Sequence, residues 1–498
     1  MSVVNIYCCS HKYNYVADKE GDYDLKDCEA TVLAIYKGGQ TRALVDNADC
    51  DDMVTVILDK TSMYAEAGGQ IADTGLIVSS PTGEMEFEVK QVQARQGYIA
   101  HVGSVLSGKI QVGDSVKTLV NTSRRRPVMS NHTATHLLNF GLRRVLRESN
   151  GGESPEQKGS LVAPDRLRFD FSCKNSMTKK ELFDCEESVR TVIKEDQEVF
   201  AREVPLTNGK SIQGLRAVFD ETYPDPVRVV SVGVPIDTLL NDPTGPEGLQ
   251  HSVEFCGGTH LLRSSHIGEF AIVSEDAIQR GVRRIQAVTG SDAENARENW
   301  FEFEKKVKEF EKDMSEFLTA NNVPGQKLLS KKSAELVEKS AKTSLLPAWA
   351  RDEIRERMQA VKQKLDAAEK ERRTQALASA KKEIQDFIAK LSDKDKKDTK
   401  GFVIKYLAPA FAGGLDSKAL DALLKEMTGA LKKCAILLIA TECESNVFPS
   451  KVLMASAVPK DMSTSFSAAD WVKGATAQLE NARSGGIQLT QWPLYFLI

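Results

Sequence analysis

Two short stretches carry the side chains best suited to metal chemistry. In "HTATHLL", residues 132–138, His132 and His136 stand four apart, and in "CGGTH", residues 256–260, Cys256 and His260 repeat that interval. On a helix, residues four apart lie about 40° apart around the axis, so the two imidazoles would project from one face, close enough to share an ion. Leu138, Leu142 and Val145 fall on roughly the opposite face, which separates the pair from the apolar stripe that would hold a core histidine. Thiolate and imidazole are both good zinc donors, and two glycines between Cys256 and His260 free the backbone to curl so that both converge. The four together would make a tetrahedral site of three nitrogens and one sulfur for Zn2+. H-T-A-T-H lacks the glutamate that a zinc protease places between its histidines, which argues against that class. Two roles stay open: four protein ligands close a structural site, whereas three plus water make a hydrolytic one with a water pKa near about 7.

These residues need a scaffold. From about residue 28 to 120, the runs "ATVLAIY", "MVTVILD", "EFEVKQVQ" and "YIAHVG" alternate apolar and polar residues between turn signals, which predicts a small β-barrel. After Pro127 the period changes, and Ser130 or Asn131 is placed to cap the histidine helix. Strands such as "RLRFDFS" and "VRVVSVGV", with a helix at about 178–200, predict an α+β domain to roughly residue 290. Trp300, Phe303, Val307, Phe310, Met314 and Phe317 step by three and four, and Ile354, Met358, Val361 and Leu365 resume the spacing. Two long helices joined by the linker 319–347 are therefore expected to form an antiparallel hairpin, with homo-oligomerisation through 300–391 as the other use of the seam. "SDKDKKDTK" is a charged linker, and a β-α-β-β pattern beyond it predicts a small α/β domain. The expected fold class is α+β multidomain: a remnant at 1–25, a β-barrel at 26–126, a zinc-containing α+β domain at 127–292, helices at 293–400 and a C-terminal α/β domain at 401–498.

Composition narrows the setting. An apolar fraction of 41% and a charged fraction of 27% over 498 residues suit a multidomain soluble protein, and the longest apolar runs fall far short of a membrane span. The first residues lack an export or organelle signal, and nine scattered cysteines fit a reducing compartment, so the cytoplasm is expected. A net charge of −4 argues against wholesale nucleic-acid wrapping, while Arg124, Arg125, Arg126, Arg283 and Arg284 form clusters that could hold RNA phosphates. No G-x-x-x-x-G-K-[ST] loop for ATP is present.

"RRRPVMSNHTATHLLNFGLRRVL", "QKGSLVAPDRLRFDF", "GLRAVFDETYPDPVRVVSVG", "EFCGGTHL" and "GVRRIQAVTG" closely resemble the editing domain of eukaryotic cytoplasmic alanyl-tRNA synthetase, and "YAEAGGQIADTG" resembles the glycine motif of the barrel before it. The resemblance runs from about Lys12 to Trp471. It implies that His132, His136, Cys256 and His260 hold zinc in a pocket that hydrolyses tRNA(Ala) wrongly charged with serine or glycine, with Cys256 also in a catalytic role. The "QKGS" match implies that Gln157 takes part in editing. The family's first half, with the ATP-dependent charging site, would precede Lys12, so charging is not expected of this chain. "IQLTQWPLYFLI" stands where the family has a glycine-rich continuation, so an incomplete terminal domain is expected. A non-catalytic zinc-stabilised module that binds tRNA or another synthetase chain is the alternative.

Overall fold

Inward and outward side chains alternate along the strands of the first third, and this alternation lets the sheet close on itself. The computed structural model describes residues 10–38, 43–218, 222–320, 326–391, 401–407, 417–442, 451–460, 462, 467–476, 483–485 and 494–497. β1 (Tyr15–Ala17) and β2 (Tyr23–Leu25) form an antiparallel pair. They precede β3 (Cys28–Lys37), β4 (Ala43–Val45), β5 (Asn47–Asp49), β6 (Met53–Leu58), β7 (Gly75–Ser79), β8 (Glu86–Arg95), β9 (Tyr98–Ser107), β10 (Lys109–Gln111) and β11 (Ser115–Val120). Six strands run in the order β11-β7-β8-β9-β6-β3, and β11 also pairs with β3, so Lys117 stands opposite Val78 on one side and Glu29 on the other. Closure removes the free edges and turns alternate residues inward. Ile35, Val56, Ile77, Phe87 and Val116 fill the barrel and are fully buried.

α1 (Thr122–Val145) begins well before the expected cap: the N-cap is Asn121, not Ser130 or Asn131, and Pro127 lies inside the helix. Pro127 is the sixth helical residue, past the first turn, so its missing N–H removes one backbone hydrogen bond from the second turn. The same turns are anchored from outside, Arg125 by Asp73 and Arg126 by the carbonyls of Gly21 and His266. From Val128 to Leu142 every residue of α1 is buried. The histidines are therefore not set on a separate polar face; the helix is enclosed all round.

α1 is followed by β12 (Gln157–Val162), β13 (Leu167–Ser172), α2 (Lys179–Lys194), β14 (Val199–Val204), α3 (Leu206–Ser211), β15 (Val227–Val232), α4 (Ile236–Asn241), α5 (Glu247–Gln250), β16 (Ser252–Phe255), β17 (Phe270–Gln279) and β18 (Val282–Thr289). They make two antiparallel sheets, β12-β13-β18-β17 and β14-β15-β16. One core joins Leu137, Leu138 and Leu142 of α1 to Phe169, Phe171, Val189, Val230 and Ile285, and Tyr23 belongs to it. The segment before residue 26 thus builds part of this core.

α6 (Gly290–Ala320), α7 (Gln326–Lys342) and α8 (Ala348–Lys390) follow. The expected hairpin of two helices is replaced by three, because the linker holds α7. Trp300 meets Trp349 and Glu311 pairs with Arg357, so α6 and α8 run in the same sense. Gln326 bonds Leu365 O and Glu369 while Arg351 bonds Thr343 O, so α7 returns antiparallel to α8. The seam residues Val307, Phe310, Met314, Met358, Val361 and Leu365 are buried within the chain.

β19 (Phe402–Leu407), α9 (Ser417–Ala430), β20 (Ala435–Glu442), β21 (Lys451–Ala457), α10 (Ala468–Thr476), β22 (Arg483–Gly485) and β23 (Leu494–Leu497) complete the chain. Their sheet order is β19-β20-β21-β23-β22, with β19 and β20 parallel across α9. The linker "SDKDKKDTK" and most of "IQLTQWPLYFLI" lie outside the described residues. The chain divides into two compact units, Met1–Lys305 with Lys339–Ile354, and Lys306–Glu338 with Arg355–Ile498.

Candidate metal centre

α1 presents His132 and His136 from its buried length, and the loop leaving β16 presents Cys256 and His260. Their ligand atoms all lie within 4.8 Å of one another. Cys256 Sγ stands 3.4 Å from His132 Nε2 and 3.3 Å from His260 Nε2. Zinc bonds of about 2.1 Å to nitrogen and about 2.3 Å to sulfur place tetrahedral donors about 3.4–3.6 Å apart, so the spacing fits an ion of that size.

The outer nitrogens settle which atoms face the ion. Gln70 Oε1 accepts from Thr259 N–H at 2.9 Å, which fixes its amide, and lies 2.7 Å from His132 Nδ1. His132 therefore carries its proton on Nδ1 and leaves Nε2 free. Thr133 Oγ1 donates to Met129 O, so towards His260 Nδ1, at 3.3 Å, it is the acceptor. His136 Nδ1 is buried and without a hydrogen-bond partner among the described residues, free for an ion, while its Nε2 lies 3.7 Å from Glu254 Oε2, beyond hydrogen-bond reach. Two of the imidazoles, His132 and His260, are oriented by side-chain oxygens, as metal-ligating histidines usually are.

The turn that delivers Gln70 places Gly68 and Gly69 at φ of 59° and 84°, a region that side chains other than glycine's rarely adopt. In "CGGTH" the glycines act differently from the expectation. Neither has positive φ; Gly258 is needed for space, since a Cβ there would overlap the His132 ring. The loop is also held from outside. Arg228 Nη1 donates to the carbonyls of Cys256 and Gly258 at 2.9 and 3.0 Å, Tyr13 OH to Gly257 O at 2.6 Å, and Tyr15 OH to His260 O at 2.7 Å. Burial pushes His136 down to about 3 and holds His132 and His260 well below the ordinary imidazole range, with Arg228 adding to the effect. Burial pushes the Cys256 thiol up to about 11. Three neutral imidazoles already offer lone pairs, and an entering ion has one proton to displace, that of Cys256.

The remaining sequence candidates lie elsewhere. Gln157, at the start of β12, donates its amide to Ser160 Oγ at 3.2 Å and to none of the four ligands. Arg125 is 1% exposed and bonds Asp73 and the carbonyls of Lys12 and Ser62, so it is a buried structural pair and not a phosphate contact. Arg124 bonds Ala72 O, Arg126 bonds two carbonyls, Arg283 pairs with Glu275 and Arg284 with Asp170. Sequence reasoning missed Gln70, Thr133, Glu254 and Arg228. Gln70 had one signal, its place directly after the paired glycines of "EAGGQ".

Known proteins match this chain in parts and along nearly its whole length. The family described as "Threonyl and Alanyl tRNA synthetase second additional domain" matches residues 227–286, which include Cys256 and His260. The family described as "tRNA synthetases class II (A)" matches residues 6–124, the barrel and what precedes it. Over 482 residues, 96% of this chain, it is 37% identical to the cytoplasmic alanine–tRNA ligase of Bombyx mori. Over 483 residues it is 38% identical to that of Caenorhabditis elegans. The chain belongs to the alanyl-tRNA synthetase family. It covers 47% of each of these two relatives, about half their length. A mitochondrial alanine–tRNA ligase of Saccharomyces cerevisiae is 42% identical over 326 residues, 66% of this chain and 31% of that relative. No helix among the described residues is long and apolar enough to cross a membrane.

Proposed function

We propose that the cluster holds Zn2+ and that this alanyl-tRNA synthetase family chain hydrolyses the ester of tRNA(Ala) mischarged with serine or glycine, in the cytoplasm. The observation that supports it is the convergence of His132, His136, Cys256 and His260 within 4.8 Å, with His132 and His260 each oriented by a side-chain oxygen. When bound, zinc would supply an acidified water or polarise the ester carbonyl. The protein's residues do the rest. Gln70 and Thr133 orient the imidazoles of His132 and His260, while Arg228, Tyr13 and Tyr15 hold the loop. Cys256 and Gly257 are more exposed than the three histidines, so a substrate would approach from their side. On the family resemblance of "QKGS", Gln157 contacts the ester.

The need for such a site is physical. A pocket that admits alanine cannot strongly exclude smaller glycine, or serine with one added hydroxyl, so a second, hydrolytic step supplies the missing discrimination. The competing reading is a structural zinc, favoured by the presence of four protein donors, in a module that binds tRNA without turnover. Hydrolysis of Ser-, Gly- and Ala-tRNA(Ala) by the purified chain, before and after chelation and zinc return, separates the two. Zinc-dependent release of serine and glycine supports editing; bound tRNA with no release supports the structural role.

A further inference from the structure

The basic runs that stand out in the sequence are consumed by internal acceptors, whereas two other arginines are not. Arg143 lies near the end of α1 and Arg216 in the loop between α3 and β15, both half-buried. Arg143 makes one long bond, from Nη2 to Gly214 O at 3.5 Å. The Arg216 guanidinium makes none among the described residues, and the Nε of both is buried without an acceptor. Buried donors of native proteins are nearly always satisfied, so two such groups side by side mark a missing acceptor. They are close enough that Arg216 repels Arg143, which burial and this repulsion bring down to about 10. Glu254 attracts both, and the exposed Glu156 attracts Arg216.

Their position matters as much as their charge. Arg216 exchanges backbone hydrogen bonds with Val253 and Phe255 of β16, the strand that runs directly into Cys256. Glu254, between them, has Oε2 3.7 Å from His136 Nε2 on its other side. An anion bound by the two guanidiniums would therefore sit about one side chain away from the metal cluster. Guanidinium forks match the oxygen geometry of phosphate.

The geometry points to Arg143 and Arg216 as an anion subsite that takes a backbone phosphodiester of the RNA whose 3′ end reaches the cluster. The inference rests on the deacylase reading for its substrate, and its test separates the two. Hydrolysis of a serine-charged RNA hairpin is compared with that of seryl-adenosine, which has no phosphate, using the full chain and its Arg216→Met and Arg216→Lys variants. Zinc content and thermal unfolding establish that each variant is folded. In Arg216→Met, KM for the hairpin is expected to rise about tenfold relative to KM for seryl-adenosine, as loss of a charge-assisted bond requires. The slope of log affinity against log salt should fall by about one, and Arg216→Lys should recover part of both. Inorganic phosphate should compete with the hairpin in the wild type and lose that effect in Arg216→Met. Equal changes on both esters, an unaltered salt slope, or phosphate competition with no change in the hairpin KM would overturn the subsite. If the wild type hydrolyses neither ester, the deacylase reading fails. Binding of the uncharged hairpin by fluorescence anisotropy then decides the subsite: a weaker Arg216→Met supports it and equal affinities overturn it.

Discussion

Gln70 shows how much of a candidate metal site lies outside the groups that would touch the ion. Its amide is locked by Thr259, its oxygen sets the His132 tautomer, and neither contact is local in sequence, at separations of 189 and 62 residues. Removing such an outer partner typically costs about 10–100-fold in metal affinity. Gln70→Leu is expected to weaken zinc by that amount in chelator competition, and Gln70→Glu, which keeps an acceptor, by less. An equal affinity in Gln70→Leu would mean that His132 is oriented by packing alone. That His132, His136, Cys256 and His260 would come together was readable because cysteine and histidine at repeated spacing are rare and chemically distinct. Their supports were not, since glutamine and threonine occur everywhere and acquire meaning only when the fold brings them close.

Elements were legible in proportion to the regularity of their pattern. The barrel strands keep period two over most of their length, broken by bulges at Val32/Ala34 in β3 and Val89/Gln91 in β8, where the buried face shifts phase. The start of α1 was obscured by Pro127 and by three successive arginines that look like a surface cluster but end in loops and the buried Asp73. Arg125 and Asp73 are 1% and 3% exposed, so deleting either leaves an uncompensated buried charge. Asp73→Ala is expected to destabilise the fold by about 3–5 kcal/mol, read by urea unfolding. A loss below 1 kcal/mol would show that water enters and replaces the carboxylate. α7 escaped notice for a different reason. Its buried stripe is Leu329, Ser333 and Ser340, so small hydroxyl residues stand where an apolar periodicity would have been visible.

At the scale of the whole molecule, one buried carboxylate ties α2, β17 and the start of α8 together. Glu186 accepts from Ile272 N–H at 2.8 Å and Trp349 Nε1–H at 2.9 Å, and burial raises its pKa to about 7. Below the unfolded pKa of about 4.3 both states are protonated and nothing is lost. As pH rises towards 7 the unfolded chain releases this proton while the folded one retains it, so stability falls, by roughly 4 kcal/mol in all, and levels off above the folded pKa. Glu186→Gln should lack this decline when unfolding is followed by tryptophan fluorescence from about pH 4 to 8. Parallel pH profiles would place the raised proton affinity elsewhere.

The central claim is that two distant segments of one chain share a single ion, and cobalt(II) substitution tests it most directly. One equivalent per chain should give a tetrahedral spectrum with a thiolate-to-metal band, and Cys256→Ser should abolish that band. Substoichiometric uptake, or a spectrum unaltered by Cys256→Ser, would contradict the account.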